Sequence, residues 1–520
     1  MGARTNLSVP GYLDIAYTYD SRGRLAGILG NGKTTAFAYD AAGQRTNAVW
    51  PNGTTASYAY DAAGQLLSLD HRTPSGAPVA TFAYAYDLSG NRTAMTTLEG
   101  PHAFTYDAQN QLLSAAYPDG SSETFFYDPV GNRTSLVAVA SGGLSTNTTT
   151  YTYGSGNRLL ADASATTTNT YAYDGAGRLT NHVVNGLPRT IAYDFQGRMT
   201  TLTDTNGSVF RYTFDAEGNR RSQSLNDCLE TRFIYDGPDV LLELDPSNAV
   251  TYAWLDGPGI DQPIERIMYL NGTPRARRVF HADAIGSIAA LTAPDATPVQ
   301  TYAYTAFGAI RRQTGPDPNR TTYTAREHLG DSQGWMYYRY RIYNQNIGRF
   351  VAEDPHGFVD GPNVWIYCRN HVMNWIDPVG LDVFLENTKA AFGLHQRVCI
   401  SNDMFQIGQS FGLEGPGFSQ ICFSQGCSID MPTPSGDGNG IVYEDSQEPT
   451  TMVVKHFKTT YEEDAWAVVE LQSQLGWRAQ YGFRNQCRCY SQRQYQKLVD
   501  EIRKRRTPSE GTSADEIIYW

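Results

Sequence analysis

A chain of 520 residues, 41% of them hydrophobic, is long enough for roughly two to four domains with a large core. Its formal charge of −12 excludes the overall basic character of a nucleic-acid binder, and seven cysteines are too few for a disulfide scaffold. No run of about 18 apolar residues predicts a membrane span, and the opening "MGARTNLSVPGYLDIAYTYD" lacks the apolar segment of a secretory signal.

Residues 1–381 contain a single lysine, Lys33, and are rich in Tyr, Thr, Gly, Asn and Arg, a composition that favours strands. Within them Tyr-Asp recurs at Asp20, Asp40, Asp61, Asp87, Asp107, Asp128, Asp174, Asp194 and Asp236, with degenerate members at Gly154 and Asp215. Most steps are 20 or 21 residues, with two of 26. A fixed period of this size marks a repeat architecture. The unit "TASYAYDAAGQLLSL" reads as alternating strand, turn, then return strand. Asp can bond the backbone of the turn, and Gly supplies the positive φ. Each unit is therefore a β-hairpin, and stacked hairpins make one continuous sheet. So regular a series of carboxylates reads as turn caps and not as catalytic groups. The "NRT" sequons at Asn91 and Asn132 fall in the same turn slot and are products of the repeat.

These Tyr-Asp units are identified as YD repeats, and the array resembles RHS proteins. Two downstream segments extend the resemblance: "FHADAIGSIAALTAPDATPVQTYAYTAFGAI" and "YYRYRIYNQNIGRFVAEDPHGFVDGPNVWIYCRNHVMNWIDPVGL". The second is similar to the RHS repeat-associated core. The chain departs from the family pattern at His371-Val372 and at Asp360-Gly361-Pro362, both in turns. The resemblance spans residues 12–381. It implies a spiral β-shell that encloses a C-terminal polypeptide, with the core as a plug at one end. The expected division is 1–270 for the hairpin array, 271–381 for the core and 382–520 for a variable domain.

In the core, Asp354 and Asp377 each precede a proline. Taken alone, these could be two turns. The resemblance implies instead an aspartyl-protease-like pair that cuts the chain after "DPVGL", at the Leu381–Asp382 bond. That chemistry needs one ionised carboxylate and one protonated, and close placement separates them. Arg341 matches the family's functional arginine, and Arg349 is a second candidate. A guanidinium could orient a carboxylate through paired N–H donors.

Residues 382–520 carry five of the seven cysteines, with 13 Lys and Arg against 18 Asp and Glu. Strands are expected at "HQRVCI", "FSQICFSQG", "GDGNGIVYED" and "TTMVVKHFKTT". A helix follows in "TTYEEDAWAVVELQSQLGW", where Thr460 and Glu463 form a capping box. A second helix begins near Cys487–Ser491 and runs to the basic "RKRR". The whole is a small α+β domain behind a mainly β array. A histidine on an early strand and a cysteine at a late helix start resemble circularly permuted papain-like folds of the NlpC, lecithin:retinol acyltransferase and PPPDE types. Gln486 interrupts the Asn-Cys element of that motif. The resemblance implies Cys487 as nucleophile, His395 as base and Gln425 as the orienting group. A helix N-terminus and a nearby histidine both favour the thiolate. His456 is a rival base, and Cys489 reads as a packing residue. Zinc held by Cys422, Cys427, Cys487 and Cys489, a Cys422–Cys427 disulfide and inert buried cysteines remain alternatives, although Cys-x-Cys is a poor zinc chelate.

The resulting expectation is an RHS-type polymorphic toxin or effector carrier, secreted or held at the cell surface and delivered to target cells. It needs no cofactor, metal or nucleic acid. Its expected partners are an immunity protein, delivery machinery and an upstream or partner segment that completes the shell. The alternative is an adhesion protein whose C-terminal domain is structural or zinc-binding.

Overall fold

The structure is a computed structural model. It describes residues 4–329 and 334–381, and the backbones of seven strands between 384 and 453. Two compact units divide the chain, residues 2–396 and residues 397–520.

The first unit is built on one antiparallel sheet of 29 strands between Asn6 and Thr314, each paired with its neighbours in sequence. The hairpin of Thr55–Tyr60 and Leu66–Arg72 shows how one repeat works. Ala56 and Tyr58 turn inward and are buried, while Ser57 and Ala59 face out. Asp61 closes the turn: its amide donates to the Gln65 carbonyl at 3.0 Å, and its Oδ1 accepts from the Gln65 amide at 2.8 Å. Gly64 sits at φ +86°, where an L side chain is disfavoured. The residue five places into the turn often ties it to the next one. Arg178 Nε, for example, donates to Asp174 Oδ2 at 2.7 Å, while its Nη1 donates to the Asp194 carbonyl at 3.1 Å.

The tyrosine of the motif has a second role. Tyr86 donates its hydroxyl to the Leu66 carbonyl at 2.8 Å, where the preceding return strand begins. Tyr106, Tyr127, Tyr153, Tyr173, Tyr193 and Tyr304 repeat the contact on Arg92, Leu112, Arg133, Leu159, Leu179 and Ile288. At the same tyrosine the strand register slips by one residue. Such bulges bend a strand and increase its twist, so each repeat adds curvature. Asn91 and Asn132 are buried at these turns, bonded to Asp87 and Asp128.

The curvature brings the sheet back on itself. Leu13, Leu25, Ile28, Leu69 and Phe82 share a core with Leu242, Leu255, Ile264, Ile267 and Val279. Along that seam Asn52 Nδ2 donates to the Ala293 carbonyl at 2.9 Å, and the Ala284 amide donates to the Tyr84 hydroxyl at 3.1 Å.

After Thr314 the chain forms a compact module with four short strands, Glu327–His328, Trp335–Tyr338, Arg341–Asn344 and Arg349–Phe350. This module occupies the inner face of the sheet. Trp335, Tyr337, Ile342, Ile347 and Val351 pack on Tyr151, Leu159, Leu179, Leu202 and Tyr212. Tyr338, Tyr343, Phe350 and Tyr367 pack on Phe104, Leu112 and Phe125. Among the described residues, what the sheet encloses is therefore the module itself. Buried arginines stitch the two together. Arg189 lies 5.2 Å from the Trp335 ring, and Arg220 lies 4.4 Å from Phe233 and 4.8 Å from Tyr337. A flat guanidinium stacks on rings and is less tightly hydrated than an ammonium, which explains why arginine almost displaces lysine here.

In the second unit the described backbone is six antiparallel strands, each paired with the next: Arg397–Asn402, Ile407–Glu414, Phe418–Cys422, Ser428–Pro432, Ile441–Glu444 and Thr450–Val453. Four of them fall in the segments that alternate in the sequence. Ile407–Glu414 and Ser428–Pro432 are additional. The two helices expected after residue 459 lie outside the described residues.

Candidate active site

The site is assembled around a tight turn. Strands Trp335–Tyr338 and Arg341–Asn344 pair with Tyr338 opposite Arg341, leaving a two-residue loop of Arg339 and Tyr340. Arg339 takes a φ of +58°, an unfavourable conformation for a bulky residue. The loop delivers Arg341 into the interior, with 2% of its surface exposed and its guanidinium 3.6 Å from the Phe350 ring centroid.

Two Asp-Pro turns converge on it. Asp354 follows the short strand Arg349–Phe350, and its amide donates to the Val364 carbonyl at 3.0 Å. Its Oδ1 accepts from the His356 amide at 2.6 Å. Asp377 curls over its own "DPVGL" segment. Its Oδ1 accepts from the Gly380 amide at 2.8 Å and from the Leu381 amide at 3.1 Å. Proline suits both turns, because it fixes φ and has no N–H to compete for the carboxylate.

One nitrogen joins the two. Arg341 Nη2 lies 3.0 Å from Asp354 Oδ2 and 3.3 Å from Asp377 Oδ2. Arg341 Nε donates to the Gly380 carbonyl at 2.5 Å, and Nη1 donates to the Val364 carbonyl at 3.2 Å. Asp377 is fully buried and Asp354 is 6% exposed. Apart from its ion-pair contact with Arg341, Asp354 Oδ2 accepts no hydrogen bond of regular geometry from the described groups. Two buried carboxylates thus share one cation that cannot neutralise both.

The residues expected from the sequence divide into two sets. Arg341, Asp354, Asp377 and Leu381 come together. Arg349, the second arginine candidate, stands elsewhere: its Nη2 donates to the Asn157 carbonyl at 2.7 Å, and its guanidinium lies over Tyr153 and Trp365. Asp382 and the second set, Cys487, His395 and Gln425, lie outside the described residues, as do His456 and Cys489. Among the described residues no cluster of His, Cys, Asp and Glu could hold a metal ion.

Arg339 and His356 at this site gave no signal in the sequence, and Gly380 entered only as part of "DPVGL". Arg339 Nη1 donates to the Pro378 carbonyl at 2.5 Å. Gly380, at φ +73°, lies against the Tyr338 carbonyl. His356 sits beside Asp354, and burial keeps its imidazole below the ordinary histidine range. Beyond Arg339 lies a carboxylate pocket. Burial pushes Asp239 up to about 7, and burial with the charges of Asp239 and Asp261 pushes Asp256 well above the usual carboxylate range.

A curved YD-repeat sheet closed on an internal module defines a YD-repeat shell. The chain belongs to the Teneurin YD-shell family, whose model matches residues 79–361, and the RHS Repeat model matches residues 16–49. It is 29% identical over 327 residues to the double-stranded DNA deaminase toxin A of Burkholderia cenocepacia, covering 57% of this chain and 22% of that protein. It is 26% identical over 316 residues to the tRNA3(Ser)-specific nuclease WapA of Bacillus spizizenii, covering 58% of this chain and 11% of that protein. The chain thus spans less than a quarter of the length of these relatives. In fold it is similar to the TcdB2-TccC3-TEV crystal structure, with a TM-score of 0.63 at 20% identity, covering 73% of this chain and 21% of that one. The Photorhabdus luminescens Tc holotoxin pore gives a TM-score of 0.61 at 19% identity, with coverage of 73% and 21%.

Proposed function

We propose that this chain is the carrier portion of a polymorphic toxin, divided at 270 and 381, that cuts itself after Leu381 and releases residues 382–520 as the effector. The observation that carries the reading is the sharing of Arg341 between Asp354 and Asp377, with the Leu381 amide bonded to Asp377. The residue that ends the released shell is thereby held by one of the two carboxylates. Water adds to the Leu381 carbonyl carbon and gives its proton to the ionised carboxylate. The other carboxyl passes its proton to the Asp382 nitrogen as the C–N bond breaks. Asp354 Oδ2, ion-paired with Arg341 but receiving no hydrogen bond of regular geometry from the described groups, is assigned to take that water. Asp377, engaged with Gly380 and Leu381, fixes the segment to be cut. Arg341 keeps the charge of the pair in place.

Relatives named as a deaminase toxin and as tRNA nucleases support the carrier reading, and they imply an immunity protein and a delivery route out of the producing cell. Those names concern different C-terminal activities, so the cargo is read from its own residues. Cys487 is assigned as nucleophile, His395 as base and Gln425 as the orienting group of a thiol hydrolase or acyltransferase.

The test is the intact mass of the purified, folded chain. A shell ending at Leu381 with a fragment beginning at Asp382 is expected, and Asp354→Asn should leave the chain whole. A folded wild-type chain that stays at full length would sink the reading.

A further inference from the structure

The self-cleavage reading leaves open what sets the cut after Leu381 and not one bond to either side. The turn at Tyr338–Arg341 contacts three successive carbonyls of the segment that leads to it. Arg339 Nη1 donates to the Pro378 carbonyl at 2.5 Å, the Tyr340 amide to that of Val379 at 3.1 Å, and Arg341 Nε to that of Gly380 at 2.5 Å. The next carbonyl in the chain is that of Leu381. Two of the three contacts come from groups whose role is already clear, one the backbone of the turn and one the arginine of the carboxylate pair. Arg339 is the remaining one, and its guanidinium has its own support. Asp261 Oδ1 and Oδ2 accept from Arg339 Nη2 at 2.8 Å and Nη1 at 3.0 Å, and the Pro238 carbonyl accepts from Nη2 at 3.0 Å. Asp239 lies 3.6 Å away. Asp261 is in turn held by Arg326, whose Nε and Nη2 donate to the Tyr337 carbonyl. Two-point carboxylate pairing fixes a guanidinium in angle as well as in position. The backbone of Arg339 is also held at φ +58°, a conformation that costs energy unless contacts retain it.

We propose that Arg339, anchored by Asp261, is a positioning residue of the self-cleavage: by holding the Pro378 carbonyl it sets the register in which Leu381, and no neighbour, meets Asp354 and Asp377. The inference rests on the self-cleavage reading and adds to it a measuring device for the bond.

The experiment follows the full-length chain during cell-free synthesis and reads the masses of both products over time. Arg339→Gln is expected to slow release by on the order of tenfold or more, as small misplacements of reacting groups do. It is also expected to give fragments with more than one N-terminus, because register is lost. A purely structural role would lower the yield of folded chain without moving the cut. Arg339→Lys keeps the charge but not the fork and should fall between. Melting temperatures are compared in an Asp354→Asn background, where no cleavage intervenes. A folded Arg339→Gln chain that cuts only at Leu381–Asp382 and at the wild-type rate overturns the proposal while leaving self-cleavage intact. If Arg339→Gln does not fold, Asp261→Asn decides by the same two readouts, and wild-type rate and cut site overturn it. If the wild-type chain is never cut, both readings fall.

Discussion

A side chain at Gly380 would place its Cβ 2.5 Å from the carbonyl oxygen of Tyr338. Backbone cannot retreat as a flexible side chain can, and Gly380 also occupies φ +73°. Gly380→Ala is therefore expected to push the "DPVGL" segment away from the turn, with about 1–2 kcal/mol of left-handed strain added. The repeat sheet does not depend on this residue. The expected outcome is a chain with an unchanged circular dichroism spectrum that releases its fragment slowly or not at all. Rapid cleavage in this variant would show that the close approach is dispensable.

The turn carboxylates offer a test of the repeat. Asp194 Oδ1 accepts from the Gln196 and Arg198 amides at 2.9 Å each, and its Oδ2 accepts from Arg198 Nε at 2.7 Å. Asp194→Ala leaves those donors to water and removes the ion pair, a cost of about 1–3 kcal/mol. A repeat sheet can open locally, so the effect should be read locally. Amide exchange at Gly197 and Arg198 is expected to accelerate, with turns several repeats away unaffected. Equal acceleration along the whole sheet would mean that the turns unfold together.

Much of this fold is written locally in the sequence. The 20-residue period, the alternation in "TASYAYD" and the Asp-Gly turn all act within one hairpin, where spacing alone is informative. The tyrosine hydroxyl was not legible, because its partner lies on the preceding return strand and is a backbone carbonyl. The internal module shows the same limit. Asp354 and Asp377 could be paired only through a family resemblance, since 23 residues of irregular chain predict no distance. Arg339 and Arg341 are two residues apart, yet they serve different carboxylates because a tight turn separates them. The contact of Arg339 with Pro378 depends on the folded path of both segments.

The seam of the rolled sheet should weaken in acid. His71 and His281 meet there with Nδ1 atoms 3.3 Å apart, His71 Nε2 contacts the Ala282 carbonyl, and His281 Nε2 contacts Thr292 Oγ1. Burial lowers His71 to about 4, and burial with the charge of its neighbour lowers His281 well below the ordinary histidine range. A histidine depressed in the fold stabilises it fully above its unfolded value of about 6.5, and that contribution is lost as pH falls towards the folded value. For His71 the loss is on the order of 3 kcal/mol by pH 4. Buried carboxyls such as Asp239 act in the opposite sense, so the comparison must be differential. The stability difference between wild type and His71→Gln, both in the Asp354→Asn background, is expected to shift in favour of the variant between pH 6.5 and 4. A difference independent of pH would assign the acid response to other groups.

The cargo can be tested through its thiols. The sequence puts Cys487 at the expected start of the last helix, where N–H groups and the helix dipole would favour a thiolate. On that expected helix, Cys489 two residues further on would face another side of the turn. Cys399, Cys422 and Cys427 fall in or beside strand segments that offer no such field. Alkylation of the folded chain near pH 6.5, mapped by mass spectrometry, should therefore mark Cys487 first, by about tenfold or more over the others. The same thiol should carry activity. Cells producing residues 382–520 are expected to be inhibited, Cys487→Ala should relieve the inhibition, and Cys489→Ala should not. His395→Ala should match Cys487→Ala if His395 is the base, whereas relief by His456→Ala in its place would transfer the role. Uniform, slow alkylation together with no inhibition would make the cysteines packing residues. Protection of Cys422, Cys427, Cys487 and Cys489 that is lifted by a chelator would instead point to zinc.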